Sequence, residues 1–265
     1  MNAPETHVMQ SDITGKGEPL VLVPGGLTGW LSWQPHAARL AASYRVVRLQ
    51  LLSVEYGLKG APLPEDYSAL TEKQALQNAL DDAGIETAHF AAWSYGGAIT
   101  LAFALAHPER VRSLTLIEPP AIWALRSRGP LSEPVQADWQ AFRSFGPNDI
   151  TEAQLVEFTR LAAMVPPATE PRELPQWPVW VEHRQSLRMG DAPFRLEGDI
   201  EAVRRFDRPV LLLKGRGSAT YYHEIIDVLA EAFPDSRVET LPEGHAPHVV
   251  SMGPFMELFQ AFLSA

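Results

Sequence analysis

Short apolar runs bounded by proline and glycine recur along this chain, and between most of them the apolar positions take helical spacing. The runs are Pro19–Val23, Tyr44–Leu49, His89–Trp93, Val111–Ile117, Arg208–Lys214 and Ser236–Leu241. Segments this short and this continuously apolar are expected of strands buried on both faces. Between them, Pro35–Ala42 reads as a short amphipathic helix, and Ala75, Leu76, Ala79 and Leu80 form a single apolar stripe. Thr71 and Gln74 have the spacing of a capping box for that second helix, with Thr71 as N-cap, and Gly84 supplies its stop. Ala98–Ala106 is apolar all round and reads as a buried helix. Two further helices are expected from about Tyr221 to Phe233 and from Pro254 to Leu263. Strand alternating with helix predicts an α/β fold: a mostly parallel central sheet flanked by helices, with ligands at the carboxyl ends of the strands.

The alternation stops between Ala121 and about Phe206. That stretch is rich in proline and tryptophan (Trp123, Trp139, Trp177 and Trp180), and Asp149–Met164 within it has helical spacing. It reads as an inserted helical cap over residues 121–206, roofing the site with aromatic surface, on a core made of residues 1–120 and 207–265. Most of these aromatics are expected simply to glue the insertion to the core.

The organising stretch is Ala92-Trp93-Ser94-Tyr95-Gly96-Gly97. An apolar run leads into a serine and a buried helix leads out, which is the strand–turn–helix setting of a nucleophile elbow. Such a serine sits at a strained backbone position, so the residues two places away must be small; Ala92 and Gly96 meet that need. A serine hydroxyl needs a base to take its proton, and the base needs an acid to fix its tautomer. His245 stands beside Gly244 in a loop after the last strand, the best placed of the eight histidines; His248 is its nearest rival. Glu118 ends the strand after the elbow helix, at the carboxyl edge of the sheet, and is the preferred acid over Asp207 and Asp227. Pro24-Gly25-Gly26-Leu27 leaves the first strand as a glycine-rich loop able to aim backbone N–H groups above the sheet.

With these residues in hand, the whole chain resembles an α/β-hydrolase-fold serine hydrolase, and within that group it most resembles the zearalenone lactonases. Three short motifs carry the finer likeness: Val23-Pro24-Gly25-Gly26-Leu27, Glu118-Pro119, and Pro178-Val179-Trp180. The resemblance implies that the backbone N–H groups of Gly26 and Tyr95 form an oxyanion hole. It places Ser94, His245 and Glu118 in a catalytic triad, and Trp180, with Leu27, Trp123 and Pro119, against the substrate. Two departures stand out. Where relatives carry the acid as G-x-x-D after the strand Val210–Lys214, this chain has Gly215-Arg216-Gly217-Ser218. Where they carry Asp-x-x-Gly-x-Gly, it has Gln50 to Gly57 without that pattern.

The implied activity is hydrolysis of a carboxylic ester or lactone, a bulky apolar lactone such as zearalenone among them, with no metal or organic cofactor. Two rivals remain. The same residues serve cofactor-free lyases, carbon–carbon hydrolases and dioxygenases on this fold, and the absent aspartate at Ser218 is compatible with a ligand receptor that has lost turnover.

Composition narrows the partners. The 265 residues carry a net charge of −10 and no basic patch, which argues against a nucleic-acid partner. There is no cysteine, hence no disulfide, thiolate metal site or cysteine nucleophile. Met1–Gly17 lacks the pattern of a signal peptide and no apolar run reaches membrane-spanning length, so a cytoplasmic location without membrane association is expected. The expected partner is a small apolar ester or lactone; a homodimer is compatible with the sequence.

Overall fold

A computed structural model of the chain describes residues 6–265; the first five residues of the stretch read above for a signal peptide lie outside it. Seven strands form one sheet in the order β1-β3-β2-β4-β5-β6-β7, where β1 is Gln10–Thr14, β2 Glu18–Val23, β3 Tyr44–Gln50, β4 Ala88–Trp93, β5 Val111–Ile117, β6 Val210–Gly215 and β7 Ser236–Leu241. All neighbours pair in parallel except β1, which runs antiparallel to β3. This is the mostly parallel, helix-flanked sheet that the strand–helix alternation predicts, and the α/β-hydrolase fold that the resemblance implies.

Alternate residues of the central strands serve the two layers of core. Val21, Val23, Phe90, Ala92, Leu114 and Leu116 pack into one, while Leu20, Leu22, Ala91, Trp93, Ile117 and Leu213 pack into the other. Helices cover both faces, and the helix Ser94–Ala106, buried on nearly every side, runs through the larger layer.

Three features depart from the sequence reading. Strand β1 is missing from it because its side chains are mostly exposed, so the segment has no apolar run to betray it; it joins the sheet as an edge. The helix Ala69–Asp82 is capped by Ser68, whose hydroxyl accepts from the Thr71 N–H at 3.2 Å, not by Thr71; Gln74 instead donates to Asn78. The segment after β3 is a helix, Leu52–Leu58, held at its start by Glu72: the buried carboxylate accepts from the Leu52 and Ser53 N–H groups, each at 2.9 Å.

Between β5 and β6 the chain makes a long helical excursion whose helices include Glu133–Phe142, Glu152–Leu161 and Trp177–His183. Thr151 and Gln154 form a complete capping box on the second of these. No helix among the described residues is long and apolar enough to cross a membrane.

Candidate active site

The order of the strands decides where the site lies. Chain order reverses between β2 and β4, and at such a switch point the loops leaving the two strands open a crevice above their carboxyl ends. Val23 is level with Ala92, and Trp93 with Ile117, so the chain leaves β2, β4 and β5 side by side. The residues at those exits are the Pro24–Leu27 loop, Ser94 and Glu118.

Ser94 has φ +52° and Glu118 φ +45°, both in the left-handed region that non-glycine residues rarely occupy. Each strand thus breaks sharply at its last residue and turns its next side chain into the crevice. The close passage at the elbow explains its glycines. A Cβ on Gly96 would overlap the carbonyl oxygen of Pro24, and one on Gly97 would lie 3.2 Å from the Pro119 Cβ.

His245 reaches the same point from the loop after β7. Its backbone is tied by its own N–H to the Ala163 carbonyl at 2.9 Å and by its carbonyl to the Trp93 indole N–H at 2.7 Å. Its Nε2 lies 2.8 Å from Ser94 Oγ, and its Nδ1 lies 2.7 Å from Glu118 Oε2. Glu118 is wholly buried and its remaining capacity is filled: the Gly215 N–H donates to Oε1 at 2.7 Å, and the Ser218 hydroxyl donates to Oε2 at 2.6 Å. These hydrogen bonds offset the cost of burying a carboxyl group.

The rival residues lie elsewhere. Asp227 pairs with Lys214 and Asp207 with Arg208. His248 is buried among Trp33, Trp93, His36 and Phe255, away from the serine, and burial holds its imidazole well below the usual histidine range.

Gly26 and Tyr95 share the wall of a small chamber with Ser94 and His245. Tyr95 opens the Ser94–Ala106 helix, where N–H groups have no partner within the helix. Its phenol points away and is pushed well above the ordinary tyrosine range by burial, with the Tyr67 hydroxyl 3.1 Å distant. Tyr67 in turn donates to Glu72 at 2.9 Å.

The substrate contacts expected from the resemblance are not brought together here. Trp180, Leu27, Trp123 and Pro119 are all buried, but none of them lines the chamber at Ser94. Trp123 packs over Gly198, Pro119 packs on Gly97, and the Leu27 carbonyl faces Ser186. The aromatic surface over Ser94 is phenylalanine rather than tryptophan: Phe142, Phe158 and Phe194, beside Pro193.

Three side chains at the site escaped the sequence reading. Tyr222 stacks on His245 with ring centroids 4.3 Å apart and brings its hydroxyl to 3.2 Å from Nε2. Ser218 donates its hydroxyl to Glu118. Met189 lies against Gly26, its sulfur 3.1 Å from where a Cβ on that glycine would stand. Only Ser218 carried a signal, as the residue in the customary place of the acid.

Comparison with known proteins agrees with the fold. The model of the Alpha/beta hydrolase family matches residues 20–256. The chain is 28% identical over 264 residues, 95% of its length and 93% of the relative's, to the "Putative carbamate hydrolase RutD" of Azorhizobium caulinodans. It is 26% identical to the carboxylesterase YbfK of Bacillus subtilis, covering 83% of this chain and 71% of that one. Among solved structures, an esterase from Exiguobacterium antarcticum superposes with a TM-score of 0.76 at 19% identity, covering 97% of this chain and 96% of the other. The fold, the matched span and these relatives make the chain a member of the alpha/beta hydrolase family.

Proposed function

We propose that the protein is a serine hydrolase that cleaves a carboxylic ester or lactone through an acyl-enzyme. The observation that carries this reading is the single imidazole of His245 held between Ser94 Oγ, at 2.8 Å, and the buried carboxylate of Glu118, at 2.7 Å.

In this reading Ser94 Oγ attacks the carbonyl carbon as its proton passes to His245 Nε2. Glu118 holds the Nδ1–H and stabilises the imidazolium. The oxygen of the tetrahedral adduct takes hydrogen bonds from the Gly26 and Tyr95 N–H groups. His245 returns the proton to the departing alkoxide. Water then adds to the acyl-serine with His245 as base, and collapse of the second adduct releases the acid and restores Ser94.

The relatives named for carboxylesterase and carbamate hydrolysis favour acyl transfer to water over lysis or oxygenation. The receptor reading drew its support from the missing aspartate at Ser218, and a carboxylate on His245 removes that support. Residues 121–206 act as the cap over the site. The likeness to zearalenone lactonases leaves lactones among the substrates to be tried.

The test is intact-protein mass after treatment with a fluorophosphonate, on wild type, Ser94→Ala and Glu118→Gln. Wild type gains one adduct, Ser94→Ala gains none, and Glu118→Gln labels at least about a thousandfold more slowly. An unlabelled wild type overturns the reading, and undiminished labelling of Glu118→Gln moves the acid elsewhere. Turnover of p-nitrophenyl acetate and ring opening of zearalenone then separate ester from lactone specificity.

A further inference from the structure

Two cavities meet at one methionine. The chamber at Ser94 measures about 30 Å3, which leaves space for very little beyond a reacting carbonyl group. Beside it opens a cleft of about 730 Å3, within the range usual for ligand sites. Met189 and Gly190 line both.

The backbone of this partition is pinned. Gly190 has φ +58° and ψ −128°, where a side chain is not tolerated, and a Cβ there would stand 2.6 Å from the Phe145 carbonyl oxygen. Gly146 packs so closely on the Arg188 carbonyl that a Cβ would overlap it. Arg188 is anchored in turn, donating to the Ala61 carbonyl at 2.6 Å and the Gln185 carbonyl at 3.1 Å. What remains free to move is the Met189 thioether, an unbranched chain with soft rotamers.

We propose that Met189 is a specificity-determining gate that restricts the enzyme to esters of short-chain acids. The inference rests on the ester-hydrolase reading above. During the reaction the alcohol must depart while the acyl group stays on Ser94. The larger cleft therefore takes the alcohol portion, which crosses the partition at Gly190, where there is no side chain. The smaller chamber, walled by Phe142, Phe158, Pro193 and Phe194, takes the acyl chain. A long acyl chain has nowhere to go while the thioether stands over Gly26. Removing its Cγ, Sδ and Cε widens the passage between chamber and cleft and gives such a chain a path.

The experiment measures kcat/KM for p-nitrophenyl acetate, butyrate and octanoate with wild type, Met189→Leu, Met189→Val and Met189→Ala. The reading is the octanoate-to-acetate ratio within each protein, which is insensitive to the fraction correctly folded. Wild type and Met189→Leu are expected to share a low ratio, and Met189→Ala to raise it at least about tenfold, with Met189→Val between. A ratio unchanged in both Met189→Val and Met189→Ala overturns the gate, as does a wild type that prefers octanoate. A wild type that hydrolyses none of the three and takes no fluorophosphonate label fails at the ester-hydrolase reading instead.

Discussion

The Ser218 hydroxyl donates to Glu118 Oε2 at 2.6 Å, the same oxygen that faces His245 Nδ1. In the proposed triad, the residue in the customary place of the acid is thus a partner of the acid. Ser218→Ala is expected to lower kcat/KM for p-nitrophenyl acetate by about tenfold, the worth of one hydrogen bond to a charged group. Glu118→Gln alone should lose about 10³- to 10⁴-fold. Adding Ser218→Asp to Glu118→Gln returns a carboxylate to the vicinity of His245, and the double variant should recover at least about tenfold over the single one. No recovery would show that position 218 does not reach the imidazole.

Tyr222 makes two separable contacts with His245, a ring stack and a 3.2 Å approach of its hydroxyl to Nε2. Tyr222→Phe keeps the stack and removes a group that competes with Ser94 for the same nitrogen, so kcat should stay within about tenfold of wild type. Tyr222→Ala loses the stack and leaves a void beside the base; it should lower the melting temperature as well as the rate. Equal losses in both variants would assign the hydroxyl the larger part.

Glu72 is fully buried and accepts from the Leu52 N–H, the Ser53 N–H and the Tyr67 hydroxyl. Glu72→Leu strands the buried Leu52 and Ser53 N–H groups, at about 1–3 kcal/mol for each, and leaves the Tyr67 hydroxyl with Tyr95 alone. The urea midpoint should fall accordingly. Glu72→Gln keeps an acceptor oxygen and should lie between the two.

His36 and His248 form a buried pair with ring centroids 5.6 Å apart, and burial lowers both from the ordinary histidine range, His248 by far the more. The folded protein therefore keeps them neutral at a pH where the unfolded chain has already bound protons. Their contribution to stability is intact above about pH 6.5 and is lost as pH falls below it, at up to about 1.4 kcal/mol per pH unit for each imidazole. His248→Phe removes one of the two. Urea midpoints measured between about pH 7 and 5 should decline less steeply in that variant.

The parallel strands and the elbow were legible because both leave local signatures: continuous apolar runs, and small residues flanking a serine. The contact of Glu118 with His245 was foreshadowed too, since a carboxylate at the end of a buried strand has few structural reasons to be there. Strand β1 was not, because an edge strand with exposed side chains has the composition of a loop. Ser68 was passed over for Thr71 because only Thr71 has a Gln three residues on; Ser68 caps the helix through its hydroxyl alone, without the reciprocal bond. The aromatic wall was assigned to tryptophans by composition. It belongs to phenylalanines because which face of a short helix meets Ser94 depends on packing between elements distant in the chain. Met189 escaped for the same reason: its contact with Gly26 spans most of the sequence.

In the proposed triad, an acid drawn from the end of β5 places Ser94, Tyr95 and Glu118 within a single strand–helix–strand unit at the centre of the sheet. Only the base arrives from the far end of the chain. Fraying of the last strand and helix would then withdraw His245 alone, leaving nucleophile and acid standing on the most protected part of the molecule. Loss of activity on mild heating should precede loss of the central sheet, and cooling should restore it, because re-docking one loop rebuilds the site.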